Sequence, residues 1–287
     1  MRMKSLVVGT FVLLLSLPTS LMAWWCDGHT VLTKASFAAL PESMPAFFRA
    51  GATEAGHYVC DPDLFKNNRV PGLSAAELPE HNFDIELLDG HAVPSQRLQF
   101  HALCDSLGIT PSKVGYAPYA IAEWTERLTI AFAEYRRWPA NEPIKAKCLV
   151  YSGILAHYAQ DMCQPLHVTV HYDGRADADG KVPHTGIHEG VDSLIERLGL
   201  SDTAIAANVS PTSFDDIRAA IHEELQRSHA LVDVIYDNEQ QLRAASAEPA
   251  KSFATERSEA AAQFTASLLL SAWELSESVE LPGWLRR

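Results

Sequence analysis

His157-Tyr-Ala-Gln-Asp161-Met-Cys-Gln-Pro165-Leu-His167 is the stretch on which the reading of this chain turns. Residues four apart on a helix project from one face, one turn above the other. His157 and Asp161 therefore present an imidazole and a carboxylate side by side. Pro165 ends that helix and frees His167 to turn back from the following segment. Two imidazoles and a carboxylate so placed form a metal-ligand arrangement. A second pair at the same spacing, His188 and Asp192, follows twenty-one residues after His167 across a connection rich in glycine and polar residues. One such pair is ordinarily a helix-surface contact of small worth. Two pairs bracketing this connection are a pattern.

Around it the chain reads as mainly α. Asn141 can cap the helix that bears His157, and Pro143 suits its first turn. Ile144, Cys148, Tyr151, Leu155, Tyr158 and Met162 form its apolar face, with Val150, Ile154, His157 and Asp161 on an adjacent stripe. Gly153 is costly in a helix unless a neighbouring element must come close. Helices are also expected from His29 to Leu40, from Pro45 to about Gly56, and from Tyr119 to Trp138. Two more are expected from Ser213 onward and from Pro249 to about Val279. Asn67 to Pro94, rich in Pro, Gly and Asn, reads as a long ordered loop or short helical turns. Only Leu166 to Tyr172 alternates like a strand. The expectation is a single helical domain with long loops and a metal site between helices.

Arg2 and Lys4, an apolar run from Leu6 to Leu17, and Pro-Thr-Ser-Leu-Met-Ala make residues 1–23 an expected signal peptide. Residues 24–287 are then the exported, soluble domain, periplasmic or secreted, beginning at Trp24. Cleavage there creates a free amine, and an amine and carbonyl of one terminal residue can chelate a metal. The formal net charge of −13 becomes more negative once Arg2 and Lys4 are lost. Such acidity argues against non-specific capture of polyanions, although bound cations can dominate the field at a site. The five cysteines show no CxxC spacing, so a cysteine-ligated structural zinc is not expected. In an oxidising compartment one or two disulfides are expected, with the pairing open.

Further candidate ligands lie between Asp61 and Asp84. Asp63 follows a proline at a turn and is preferred to Asp61 on that context. Pro79-Glu-His81-Asn-Phe83-Asp84 offers an imidazole followed by the acids Asp84 and Glu86. At this point the chain resembles the superfamily of three-zinc phosphodiesterases that unites single-strand-specific nucleases with zinc phospholipases C. The matching features are, in order, Trp24, His29, Asp63, His81, His157, Asp161, His167, His188 and Asp192. The resemblance implies three zinc ions. Asp63, His81, His157 and Asp161 hold one; the Trp24 amine and carbonyl, His29 and the other oxygen of Asp161 hold a second. His167, His188 and Asp192 hold the third at an open position. It further implies hydrolysis of a phosphodiester by a metal-activated hydroxide, with Asp63 and Asp161 as catalytic ligands. Asp84 or Glu86 can orient the nucleophile or touch substrate.

The five-residue step from Trp24 to His29, the wide gap from His167 to His188, and Asp192 in place of Glu resemble the nuclease branch. Single-stranded nucleic acid is thus the expected substrate, with Phe83 as the candidate base-stacking ring. Phospholipid is the alternative, and it calls for an exposed apolar rim beside the site, which the sequence does not display. A non-catalytic zinc-binding exported protein is the third reading. No stable protein partner is implied. His57, His91, His101, His222 and His229 read as packed or surface histidines. His171 can support His167 from behind. His184 and His188 form a competing ligand pair, and His188 is preferred because it brings Asp192.

Overall fold

The computed structural model describes residues 24–245 and 248–287. The expected signal segment lies outside the described residues. The helix Glu142–Met162 is the centre of the fold. Asn141 caps it, its side chain accepting from the Ile144 amide at 3.2 Å. Every residue from Ser152 to Met162 is buried, so the lower half of this helix has no solvent face at all. It packs on the helices Ala117–Arg137, Ala52–Tyr58, Cys26–Ala38 and Glu248–Leu275. Side chains from all of these share one main core that includes Leu32, Ala55, Phe132, Leu155 and Leu268.

Gly153 explains how the helix Ala52–Tyr58 comes so close. A Cβ at this position would lie 2.6 Å from the Ala55 carbonyl oxygen and 2.7 Å from Tyr58 Cβ. Side-chain-free backbone is what lets the two helices touch. That contact delivers the Val59 carbonyl to His157, as shown below.

The structure is a single helical domain, and among the described residues it contains no strand. The strand expected over Leu166–Tyr172 is instead a 3-10 turn, Pro165–His167, followed by irregular chain. Leu166, His167, Val168 and Thr169 are all buried, so the alternation there separates no inner from outer face. The helix expected from Pro45 to Gly56 is two, Ala46–Arg49 and Ala52–Tyr58, with Gly51 at the break. Asp61–Phe65 is a one-turn helix carrying Pro62 in its first turn. The stretch expected as loop or short turns contains the helix Pro71–Glu77 and the 3-10 turns Leu78–His81 and Ile85–Leu88. The helix expected to begin near Ser213 starts at Ile217 and ends at His229, with Asp216 as its cap.

Cys26 and Cys60 form a disulfide, their Cα atoms 5.4 Å apart. It ties the helix that carries His29 to the turn that leads into Asp63, and it is compatible with an exported protein. Cys104, Cys148 and Cys163 are buried thiols.

Candidate metal centre

The lower half of the central helix supplies the floor of the site. His157 Nδ1 donates to the Val59 carbonyl at 2.7 Å, which fixes the ring and turns Nε2 inward. That nitrogen stands 3.4 Å from Asp161 Oδ2, 3.7 Å from Asp63 Oδ1 and 3.0 Å from His81 Nδ1. His81 arrives on the 3-10 turn Leu78–His81, with Nδ1 also 3.0 Å from Asp161 Oδ2. Its other nitrogen is 3.3 Å from Glu77 Oε1, and Glu77 accepts from the Tyr158 hydroxyl. Asp63 is paired with Lys66 at 2.5 Å.

From the opposite side comes His29, held by Gln160. Its Nδ1 is 2.7 Å from Gln160 Oε1, and Gln160 Nε2 donates to Thr33 Oγ1 at 3.0 Å. This leaves His29 Nε2 3.3 Å from Asp161 Oδ1. Asp161 thus offers one oxygen to His29 and the other to His81 and His157. A carboxylate facing two nitrogen groups with separate oxygens has the form of a bridging ligand.

The third group is built by the chain reversal at Pro165. Gln164 caps the 3-10 turn through its side chain, which also donates to Asp192 Oδ1 at 2.6 Å. His167 Nδ1 donates to the His81 carbonyl at 2.9 Å, so Nε2 points to His188 Nε2 at 3.1 Å. His188 and Asp192 sit one turn apart on the helix Ile187–Asp192, 3.1 Å between Nε2 and Oδ2. Asp173 Oδ1 accepts from the amides of Gly186 and His188 and so fixes the start of that helix. In each group a backbone or side-chain partner sets which ring nitrogen faces inward, as outer partners do around metal ligands.

Three sets of side chains could each hold a metal ion: His29, His157 and Asp161; Asp63, His81 and His157; and His167, His188 and Asp192. Their buried atoms fit that use. His29 Nε2, Asp161 Oδ1, Asp63 Oδ2 and Asp192 Oδ2 are buried and make no hydrogen bond. Each such atom costs about 1–3 kcal/mol if nothing satisfies it, and four converge on these sets. The donors are imidazole and carboxylate with no thiolate, a set that suits zinc with a coordination position left over. Burial pushes the Asp161 carboxyl up, but the His157 and His167 imidazoles outweigh it and hold Asp161 well below the usual carboxylate range. It is therefore ionised, as a ligand must be.

Eight of the nine expected ligand residues thus come together through their side chains. The ninth, Trp24, is fully buried, and its indole donates to the Gln160 carbonyl at 3.2 Å, immediately before Asp161. Asp61 belongs to none of the three sets, whereas Asp63 does. His184 is largely exposed and 3.5 Å from Asp173 Oδ2; His188 occupies the inner position. His171 accepts from the Ala176 amide and supports its own loop rather than His167.

Two expected substrate contacts are placed elsewhere. Phe83 is fully buried, its ring 5.6 Å from Phe100 and 6.5 Å from Tyr119, and it offers no face to a ligand. The amide of Phe83 is bonded to the His167 carbonyl, which turns the side chain away from the metal groups and into the core. Glu86 is fully engaged: Thr169 Oγ1 donates at 2.5 Å, the Val170 amide at 3.1 Å, and His229 lies at 2.7 Å. Burial raises its carboxyl, but the bonds from His229 and Thr169 prevail and bring it down to about 2. Glu86 is a clamp between loop and helix. His229, expected as an ordinary surface residue, is its partner, and that bond raises the imidazole above its usual value.

Asp84 does reach the cleft. A depression of about 400 Å³ opens over the metal groups, lined by His81, His167 and His188 together with Lys66, Asp84 and Tyr172. Burial pushes Asp84 up to about 7 despite a hydrogen bond from Asn82. The Tyr172 ring stands 6.1 Å from that of His188, making it the aromatic side chain of the cleft wall. Sequence reading missed Tyr172, Gln160, Gln164 and Asp173. The two glutamines carried a signal, since each sits next to or near a ligand in an otherwise apolar helix end; Tyr172 carried none.

No protein-family model matches the chain, and no curated protein matches it in sequence. Among solved structures, the crystal structure of Clostridium perfringens alpha-toxin from an avian strain aligns with a TM-score of 0.48 and 13% identity, covering 90% of this chain and 67% of that one. A likeness at that level carries no argument about what this chain does.

Proposed function

We propose that this protein is a metal-dependent phosphodiester hydrolase. The observation that carries the reading is the convergence of three His/Asp groups, two of them sharing His157 and with Asp161 facing both His29 and His81, at the base of one open cleft. Sites of this composition, when loaded with zinc, supply Lewis acidity and a water of lowered pKa. The protein's own residues do the rest. Asp63, His81, His157 and Asp161 would hold one ion, and His29 with Asp161 a second, together with the Trp24 carbonyl and the amine that cleavage before Trp24 would free. His167, His188 and Asp192 would hold a third, beside the cleft. Lys66, paired with Asp63, adds a positive charge to the cleft wall. Asp84, which lines the cleft and keeps its proton to about pH 7, is the candidate to protonate a leaving oxygen.

Of the two substrate classes, the cleft favours phospholipid. Phe83 is withdrawn into the core, and the wall nearest the metal groups includes the half-exposed Leu78. An aliphatic wall suits acyl or glycerol carbons better than a base, which needs an aromatic face. Single-stranded nucleic acid is the second reading, favoured by the Trp24–His29 step and by Tyr172.

The test is hydrolysis by zinc-loaded protein of a soluble aryl phosphodiester, phosphatidylcholine and single-stranded DNA in parallel. Cleavage of the soluble diester and the lipid supports the reading. Cleavage of DNA without lipid sends the substrate to the second reading. Inactivity on all three with zinc bound overturns phosphodiester hydrolysis and leaves a non-catalytic zinc protein.

A further inference from the structure

The helix Pro71–Glu77 is inside out. Its buried members are the polar Ser74 and Glu77, while Leu73 is 45% exposed, flanked by Val70 at 50% and Leu78 at 49%. A surface helix of a globular protein ordinarily turns its apolar stripe inward. Here the polar side chains serve as anchors. Ser74 Oγ donates to the Lys66 carbonyl at 2.9 Å, and Glu77 accepts from Tyr158 while standing 3.3 Å from His81 Nε2. Fastening the helix to the metal groups in this way leaves its apolar side with nothing to cover it. Leu64, 66% exposed, lies on the one-turn helix Asp61–Phe65, which contacts the helix Pro71–Glu77. Ten large apolar side chains are exposed among the described residues, and four of them fall between Leu64 and Leu78. Scattered exposed apolar residues need no explanation, but a cluster on one short segment does.

The segment is also the cleft's lip: Lys66, Ala75 and Leu78 line the cavity that His81, His167 and His188 floor. The chain carries a net charge of −13, and from Leu64 to Leu78 there are two bases, Lys66 and Arg69, and one acid, Glu77. Glu77 is buried and Lys66 is paired with Asp63, so the charge this segment turns outward is Arg69. Exposed aliphatic side chains beside an exposed arginine are the composition of elements that lie in a lipid interface.

We propose that Leu64–Leu78 is an interfacial docking lip that seats the protein on a phospholipid bilayer, with Val70 and Leu73 entering the acyl boundary and Arg69 meeting lipid phosphates. The proposal deepens the phosphodiesterase reading and rests on it for the orientation of the lipid head toward the histidines. Aliphatic side chains give no stacking platform for nucleic acid. A second copy of the chain is poorly served too, because four partly exposed side chains offer roughly a few hundred Å², well below the ~800 Å² per partner of a stable interface.

The experiment uses protein expressed from the whole reading frame in an exporting host, zinc-loaded, its N-terminus verified by mass spectrometry. Co-sedimentation with phosphatidylcholine vesicles is compared with turnover of a soluble aryl phosphodiester. Val70→Asp with Leu73→Asp is expected to lower vesicle partition at least tenfold while soluble turnover stays within twofold. Val70→Ser with Leu73→Ser, checked by circular dichroism, gives a milder loss in the same direction. Vesicle binding unchanged by both variants, or absent from the parent protein, overturns the lip. So does a concentration-dependent self-association that the variants abolish, which assigns the patch to a second copy. Loss of single-stranded DNA binding in place of vesicle binding assigns it to nucleic acid. If neither protein turns over the soluble diester but partition still falls, the lip stands and the phosphodiesterase reading fails.

Discussion

The floor of the cleft and its lip depart from ordinary protein anatomy in opposite directions. On the floor, His29, His157, Asp161 and Asp192 are fully buried, and His81, His167 and His188 nearly so. On the lip, a few residues from His81, leucines face outward and the polar Ser74 and Glu77 face in. Burying titratable groups and exposing leucines both cost free energy, so neither follows from folding alone. A cation would offset the cost on the floor, as an apolar phase would on the lip. Glu77 joins them, since it anchors the lip helix and stands against His81.

The floor half of this comparison breaks most readily at Asp161. Asp161→Asn removes charge from the shared carboxylate and is expected to lower phosphodiester turnover by about a thousandfold, with metal content falling toward that of the third group alone. Plasma mass spectrometry of the purified variant checks the second half. Retained turnover with a reduced metal content would separate the buried cluster from catalysis.

Next in size is the disulfide. Cys26→Ser with Cys60→Ser opens a link spanning 34 residues, and a loop of that length is worth about 2–4 kcal/mol in the unfolded chain. The loss is read from urea unfolding of zinc-loaded protein. Because Cys26 and Cys60 lie beside His29 and Asp63, zinc affinity at those groups should drop more than at His167, His188 and Asp192. An equal drop at all three would mean that the floor behaves as one body.

What the sequence disclosed follows the same division. Five residues of the three groups were legible from short-range helix geometry: His157 with Asp161, His188 with Asp192, and His167 released by Pro165; His29, Asp63 and His81 took their places only through the family resemblance. The Asn141 cap and the need for Gly153 were legible for the same reason. Phe83 was misplaced because its direction depends on a long-range bond, its amide to the His167 carbonyl, which no local pattern encodes. Five cysteines left the pairing open. The lip escaped entirely, since a reading by periodicity assigns leucines to the inside and so treats an inverted helix as loop.

A smaller effect belongs to the Glu86–His229 clamp, which ties the chain after His167 to the helix Ile217–His229. Glu86 sits at about 2, below its ordinary 4.5, so its stabilisation is present above 4.5 and fades as pH falls toward 2. His229 is raised above its ordinary 6.5, so its stabilisation is complete below 6.5 and is lost as pH rises through the elevated value. The pair contributes fully only between those two ordinary values. Both side chains are about one third exposed, and solvent screening keeps the Glu86→Gln cost to about 1 kcal/mol or less. Thermal melts of parent and variant should differ most between pH 4.5 and 6.5, and the difference should narrow on either side.

The smallest expected effect is the sharpest test of the lip half. Leu73→Ser removes an isobutyl group that already faces water, so folding stability should move by no more than about 0.5 kcal/mol. Leu155→Ala, by contrast, empties a fully buried position on the central helix and should cost about 2–5 kcal/mol. The two leucines differ in surroundings rather than in chemistry. If Leu73→Ser proves costly in urea unfolding, the side chain is covered in solution, and the lip is an internal packing surface rather than a docking one. If it is neutral in solution yet costly on vesicles, the exposed leucine is retained for a surface outside the fold. Stability alone cannot yield that pair of outcomes, because a residue kept for packing loses equally in both settings.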